Sequence, residues 1–100
     1  MAINLENFHV MHDEAKQQFE LVAEGHKSLL TYHRVPGVIS FDHTEVSPQL
    51  AGQGIAAKMT RSALDFARAE KLRVVPACSY VAAFIRKNAE YQDLLASGKE

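Results

Sequence analysis

The sequence contains a single cysteine, Cys78, so the chain cannot form an internal disulfide bond. A lone cysteine fits a reducing compartment, and we expect a cytoplasmic protein. No apolar run approaches the roughly 20 residues that a membrane-spanning helix needs. The first residues have neither the basic start nor the apolar segment of a signal peptide. Prolines are few and charge is moderate, which argues against disorder. These absences favour a folded protein with no membrane partner.

Positive charge is concentrated in one part of the chain. The formal net charge is −1, yet residues 53–87 alone carry +5, while the segments before and after them are acidic. An anionic ligand is favoured near this basic segment. No dense basic run or interleaved aromatic residues accompany it, so nucleic acid is not predicted as a partner. We also expect no metal, because the histidines at 9, 12, 26 and 33 show no ligand spacing with Cys78.

The composition, with 47% apolar residues in a chain of 100, predicts one domain over residues 1–100. Its first half has the period-two pattern of β-strands over 17–25, 26–34 and 38–46. Turn signals at Glu24-Gly25 and Pro36-Gly37 separate these segments, and such short connections predict an antiparallel meander. Residues 8–12 form either a short first strand or the front of the next one.

The second half changes to a helical period. Apolar residues at 55, 56, 59, 63, 66 and 67 lie on one face of a helix that ends near Lys71. Residues 72–76 predict a short buried strand, which after a helical crossover should lie parallel to the third long strand. A helix over 79–88 with Ser79 as its N-cap follows, and then a second helical piece that ends at Gly98. The predicted class is α+β, with a meander, a β-loop-α-β unit in a mixed sheet, and C-terminal helices.

Two glycines, Gly52 and Gly54, stand between the predicted third strand and the first helix. They indicate either a tight turn or an anion cradle, because a helix N-terminus presents free N–H groups and a positive dipole end. No Gly-Lys-Ser/Thr follows, so this is not a P-loop. Gly54 is not followed by the further glycine of a dinucleotide fingerprint either.

The spacing Gln49-x-x-Gly52-x-Gly54 resembles the acetyl-coenzyme A pyrophosphate loop of the GNAT N-acetyltransferase superfamily. Three further stretches resemble small stand-alone members of that superfamily: HTEVSP at 43–48, PACSYV at 76–81 and NAEY at 88–91. The resemblance covers residues 18–96. Two departures are peripheral: Ser47 delays the proline of the first stretch, and Ala89 stands where proline is common.

This resemblance implies an acetyl-CoA-dependent N-acetyltransferase acting on an amine, for which a protein lysine is one candidate. The alternative is a coenzyme A-binding module with little or no transferase activity, and outside the family the glycines would only make a turn. In GNAT proteins the strand before the loop and the next strand splay apart around the pantetheine arm. The implied coenzyme-binding residues are Thr44 and Val46 at the pantetheine arm, the backbone of Leu50, Ala51, Gly52, Gln53, Gly54, Ile55 and Ala56 at the pyrophosphate, Lys58 near the outer phosphates, and Ser79.

Acyl transfer from a thioester needs a neutral amine, a donor for the oxyanion and a proton source for the leaving thiolate. By the resemblance, a backbone N–H near Val46 would serve the oxyanion. Glu45 or His43 would take the amine's proton; they share one face of their strand, and the face that meets the ligand is left open. Cys78 has three readings, as an acetyl-carrying nucleophile, as the acid, or as a small buried residue. Tyr80 is the alternative acid.

GNAT domains are typically longer, with helices after the first strand that wall off the acceptor. The connection at Gly25, which ends the predicted strand over 17–25, is too short to contain such helices. We therefore expect an open acceptor side, which suits a macromolecular amine or a homodimer that completes the site.

Overall fold

In the computed structural model, which describes residues 9–96, five strands form one sheet in the order β1-β2-β3-β4-β5. The strands are β1 (Met11–Asp13), β2 (Gln18–Ala23), β3 (His26–Val35), β4 (Val38–Glu45) and β5 (Arg73–Pro76). The helices are α1 (Ile55–Ala69) and α2 (Ser79–Lys87), with 3-10 segments at Pro48–Leu50 and Ala89–Leu94. Strands β1 to β4 pair antiparallel, and β5 lies parallel to β4. The predicted α+β class, meander and mixed sheet are confirmed.

Three sequence-based expectations need correction or completion. The N-cap of α2 is Cys78 and not Ser79, because the Cys78 N–H donates to Phe41 O (2.8 Å) and holds Cys78 in an extended conformation. The last helical piece is a 3-10 helix, and its predicted end at Gly98 lies outside the described residues. The segment 8–12 contributes to a separate strand, β1, although residue 8 also lies outside the description.

Both helices pack against the same face of the sheet. The side chains that meet them are buried and alternate along the strands, as Phe19, Leu30, Ile39 and Val74 show. The strand register places the intervening side chains on the other face, which no helix covers within residues 9–96. We call it the helix-free face; it carries Met11, Asp13, Glu20, Val22, Lys27, Leu29, Thr31, His33, Val35, Ser40, His43, Glu45, Arg73 and Val75.

A β-bulge near the end of β4 changes which residues face the helices. Tyr32 pairs with Phe41 and Thr31 pairs with His43, so Asp42 is an extra residue in β4. Without the bulge, His43 would follow Phe41 onto the buried face. With it, Thr44 points towards the helices, and His43 lies on the helix-free face.

The outer edge of β5 is covered by the chain after the last 3-10 segment. Val74 forms a parallel bridge with Leu95, and the Ala96 N–H donates to Val74 O (2.8 Å). The Arg73 guanidinium donates to Asp93 O (3.2 Å) and also to Leu95 O. None of the helices within residues 9–96 is long and apolar enough to cross a membrane.

An aromatic cluster joins β1 to α1 around His12. The ring stacks on Phe19 at 4.1 Å between centroids, meets the edge of Phe66 at 4.5 Å, and places Nε2 2.6 Å from the Tyr32 hydroxyl oxygen. Burial lowers the pKa of His12 below its ordinary value; Glu14 and Asp13 oppose the shift, and Arg34 adds to it.

We expect this histidine to make stability fall as the pH drops. The folded state binds its proton less readily than the unfolded state, so stability is full above the unfolded pKa of about 6.5 and declines as the pH falls through it. Replacing His12 with phenylalanine keeps a ring in the cluster and removes the proton. Urea unfolding at about pH 7.5 and pH 5.5 should show a smaller acid loss in this variant than in the wild type. His26→Gln is the control and should keep the wild-type loss; an equal acid loss in the His12→Phe variant would contradict the prediction.

Candidate functional site

Strands β4 and β5 separate beyond Phe41. Their pairing runs from Val38 with Arg73 to Phe41 with Pro76, and the Cys78 N–H adds one last bond to Phe41 O. Past this point β4 continues to Glu45, whereas the other chain turns into α2. The edge of β4 that faced β5 thus has no strand partner over residues 42–45 of the described chain. We call this separation of β4 from the chain after β5 the split.

The loop after β4 is fixed from within by Leu50. This side chain is fully buried and belongs to a small core cluster with Leu21, Ile55 and Met59. After it, Gly52 (φ 80°) and Gly54 (φ 79°) both adopt the left-handed conformation that disfavours other residues. A Cβ built at Gly52 would have no atom within 4 Å, so the surface there is open. The two glycines therefore make the turn into α1 and leave the backbone accessible.

Backbone N–H groups at the start of α1 lack intrahelical acceptors. The N–H groups of Leu50, Ala51 and Gln53 donate within the loop, to Ser47 O, Pro48 O and Leu50 O. The first helical bond runs from the Lys58 N–H to Gly54 O (3.1 Å), so the N–H groups at 55–57 precede the ladder. No acidic side chain stands in this first turn. The positive end of a 15-residue helix is therefore open to an anion.

A cavity of about 330 Å³ lies between this loop and the start of α2. Most of the residues predicted to bind coenzyme line it: Val46, Leu50, Ala51, Gly52, Gly54, Ile55 and Ala56, together with Ala57 and Tyr80. Gln53 belongs to the same loop but not to the lining, and Ser79 is exposed at the first position of α2. The structure thus brings the predicted pyrophosphate loop and the predicted alternative acid, Tyr80, to one cavity.

Lys58 lies one turn into α1 and lines an adjoining groove with Arg61, Ser62 and Asp65. The Arg61 guanidinium is held by Glu90, with 3.4 Å between Nη1 and Oε2. Lys58 forms no ion pair within residues 9–96. It is therefore the more available of the two cations for a phosphate near the helix start.

Cys78 and Thr44 meet on the helix side of the split. Their Sγ and Oγ1 atoms are 3.3 Å apart, and Cys78 is only 9% exposed. Burial raises the pKa of the thiol. The Thr44 hydroxyl and the backbone N–H groups of Val81, Tyr80 and Thr44 together outweigh that effect, so the pKa lies below its ordinary value. This thiol is therefore a better acid than an isolated one.

Tyr80 is the second proton donor on this side. It is partly exposed, and burial raises the pKa of its hydroxyl. The group therefore stays protonated at neutral pH and can donate a hydrogen bond into the cavity.

His43 and Glu45 lie on the opposite side of β4, on the helix-free face. Their side chains are 64% and 67% exposed, with His43 Nε2 3.7 Å from Glu45 Oε1. The structure therefore separates the predicted proton acceptors from Cys78 and Thr44 by the thickness of the sheet. Neither pair lines the cavity of about 330 Å³, so the structure does not bring the predicted proton acceptors together with Cys78.

A second polar group on the helix-free face was not predicted. His33 Nδ1 lies 2.7 Å from Asp42 Oδ2, and the Ser40 hydroxyl donates to Asp42 Oδ1 (2.8 Å). Polar residues alternating with apolar ones at 40 and 42 were the available signal. Among residues 9–96 no group of three or more His, Cys, Asp or Glu side chains is placed to hold a metal ion.

Comparison with solved structures places this architecture among GCN5-like folds. The solution NMR structure of a GCN5-like candidate N-acetyltransferase from Staphylococcus aureus superposes with a TM-score of 0.72 and 28% identity, covering 94% of this chain and 92% of that one. The family model for GCN5-related N-acetyl-transferases matches residues 18–94, and the chain belongs to this family. The predicted family is confirmed.

The chain is also similar to curated proteins over most of its length. Protein NATD1 of Bos taurus is 34% identical over 82 residues, which are 79% of this chain and 73% of that protein. Protein NATD1 of Danio rerio is 32% identical over 88 residues, or 85% of this chain and 80% of the relative.

Proposed function

We propose that the protein is an acetyl-CoA-dependent N-acetyltransferase that moves an acetyl group to an amine. The observation that carries the proposal is that the helix N-terminus, the cavity and the split are adjacent. The open N-terminus of α1 and its glycine loop border a cavity of about 330 Å³, and Val46 on the cavity wall directly follows the strand that forms the split. A diphosphate and a long thin arm fit these two parts in turn.

Specific groups would hold the coenzyme. The N–H groups at 55–57 and the exposed backbone at Gly52 and Gly54 would bind the pyrophosphate, with Lys58 beside them. The unpartnered edge of β4 at 42–45 would hydrogen-bond the pantetheine amides, with Thr44 on one side. Family membership supports this assignment, since GNAT proteins use acetyl-CoA as the acyl donor.

The two sides of the split divide the chemistry. A backbone N–H near Val46 would donate to the oxyanion. On the helix side, Cys78 would protonate the leaving thiolate, and Tyr80 is a second donor. On the helix-free face, the Glu45 carboxylate would attract a cationic amine, and His43 beside it would assist. Because no helix walls this face within residues 9–96, we propose that the amine belongs to a macromolecule, such as a protein lysine.

The same openness favours a second candidate, a coenzyme A-binding module without turnover. Titration calorimetry with acetyl-CoA, followed by mass spectrometry of lysine-containing acceptors, separates the two. Binding with acetylated product supports the transferase. Binding without product favours the module, and the absence of binding refutes both.

We expect the affinity for coenzyme A to fall with added salt, because helix N–H groups and Lys58 meet the phosphates. Raising the salt from about 0.05 to about 0.5 M should weaken binding several-fold in calorimetry. Lys58→Gln should bind more weakly at low salt and show a shallower salt dependence. A dissociation constant that does not change with salt would mean that burial of the pantetheine arm dominates.

A further inference from the structure

His33 and Asp42 form a hydrogen-bonded pair on the helix-free face where β4 leaves β5. We propose that His33, oriented by Asp42, is the base that takes the proton from the acceptor amine. The inference rests on the proposed transferase function and assigns this step to residues outside the family motifs noted in the sequence.

Asp42 lies at the bulge in β4, where the split begins. Phe41 is the last residue of β4 paired with β5, so Asp42 is the first residue along the split. It follows Ser40 in the regular alternation, and its contacts with His33 and Ser40 place its carboxylate on the helix-free face. The bulge re-aims the residues that follow it, as bulges beside active sites commonly do, and it keeps His43 on this same face.

The hydrogen bonds fix which nitrogen of His33 can accept a proton. A carboxylate only accepts hydrogen bonds, so His33 Nδ1, 2.7 Å from Asp42 Oδ2, carries hydrogen. The lone pair is then on Nε2, for which residues 9–96 provide no partner, and the His33 side chain is 62% exposed. Ser40 holds the other carboxylate oxygen at 2.8 Å. Such an oriented imidazole stabilises the charge that it gains, as in other His–Asp pairs.

His43 is less well prepared for this step. Its contact with Glu45 is longer, at 3.7 Å, and both side chains are mostly exposed. Exposed pairs of this kind fix little geometry and contribute little energy. We therefore assign Glu45 to attracting the ammonium form of the acceptor and His33 to deprotonating it.

The charges around His33 are of both signs. On the same sheet face lie Asp13 from β1, Glu20 from β2, Lys27 from β3, Asp42, His43 and Glu45 from β4 and Arg73 from β5. Of these, Asp42 is the one whose side chain touches the ring among the described contacts. Its removal should therefore change the orientation of the His33 ring most.

The proton count of the reaction closes with this assignment. The acceptor arrives as R–NH3+ and gives one proton to His33 Nε2, directly or through one water. The nitrogen lone pair forms the C–N bond to the acetyl carbonyl carbon, and the C–S bond breaks. The thiolate takes a proton from Cys78, and the second proton of the nitrogen restores Cys78 through solvent. His33 returns its proton to solvent, which gives amide, thiol and one released proton.

The test measures kcat/KM against pH with acetyl-CoA and poly-L-lysine as the acceptor probe, read by mass spectrometry of the acetylated polymer. The wild type should lose activity as the pH falls through a histidine pKa. His33→Gln should reduce kcat/KM at neutral pH by about 100-fold and remove this acid limb. Asp42→Asn removes the carboxylate that stabilises the protonated ring and should displace the acid limb to lower pH. This shift would identify Asp42 as a positioning residue, since a merely structural role would not move the limb.

Two controls are matched to these changes. Glu20→Gln removes a carboxylate from the same face without touching His33, and it should leave the limb in place. His43→Gln removes the neighbouring histidine of the same face and should keep the limb. Circular dichroism of each variant confirms that the fold is retained.

Each outcome decides the matter. A wild-type acid limb that persists in His33→Gln, or that disappears in His43→Gln, overturns the assignment while transfer itself stands. Acetyl-CoA binding without transfer to the polymer also overturns it and leaves the binding module. Absence of acetyl-CoA binding removes the proposed function and this inference together.

Discussion

Replacing Ala56 with glutamate is expected to lower the affinity for acetyl-CoA by about 100-fold, or about 2.7 kcal/mol. Ala56 is half-buried in the first turn of α1 and lines the cavity beside the free N–H groups. A carboxylate there would accept hydrogen bonds from those N–H groups and would repel a phosphate. The fold should be retained, because an acidic side chain in the first helical turn interacts favourably with the helix dipole. Calorimetric titration measures the loss.

Ala56→Gln is the matched control for this charge effect. Glutamine has the size of glutamate without its charge, so its loss of affinity should be much smaller, about tenfold or less. Equal losses of affinity in the two variants would mean that the size of the side chain, and not its charge, hinders binding. Undiminished affinity in the glutamate variant would mean that Gly52 and Gly54 only make a turn and that the coenzyme binds elsewhere.

Replacing Cys78 with alanine should reduce acetyl transfer by roughly 10²–10⁴-fold and leave acetyl-CoA affinity nearly unchanged. Wild-type enzyme incubated with acetyl-CoA should not become acetylated. The expectation follows from a thiol whose pKa is lowered by Thr44 and by the backbone at the start of α2, which makes it a proton donor beside the split. Transfer within a ternary complex, usual in the family, argues against a covalent carrier. Kinetics and intact-protein mass spectrometry after incubation with acetyl-CoA together measure both effects.

Thr44→Val provides an independent check on that thiol. Removing the hydroxyl 3.3 Å from Sγ should raise the pKa of Cys78. As the chain has one cysteine, the pH dependence of its alkylation reports this pKa directly. An acetyl group found on wild-type Cys78 would show that this residue acts as a nucleophile and not as an acid. An unaltered transfer rate in Cys78→Ala would move the acid role to Tyr80 or water.

Most of the fold was predictable because its signals are local. Alternation in β2 and β3, the turn at Pro36-Gly37 and the helical period from Ile55 each depend on near neighbours in the sequence. The end of the chain was less predictable. Asn88 leaves the helical conformation (φ −126°, ψ 88°), and the following turn is held by burying Tyr91 in the core, which is a tertiary effect.

The site was predictable as a set of residues but not as an arrangement. The loop at 49–56 was found from its glycines and from the resemblance. The faces of β4 were not, because one extra residue at Asp42 inverts every side chain after it, and no local pattern marks a bulge. The same bulge turns Thr44 towards the helices, where its hydroxyl meets Cys78.

The clasp formed by Leu95 and Ala96 over β5 has a consequence for self-association. An uncovered edge strand offers a row of free N–H and C=O groups to which another chain can add, and this is a route to aggregation. At β5 that route is closed, because Val74 already pairs with Leu95 and Ala96. The two carbonyls bound by Arg73 strengthen the clasp. The four-residue parallel strand Arg73–Pro76 can therefore form the edge of the sheet without exposing a free edge to which another chain could add.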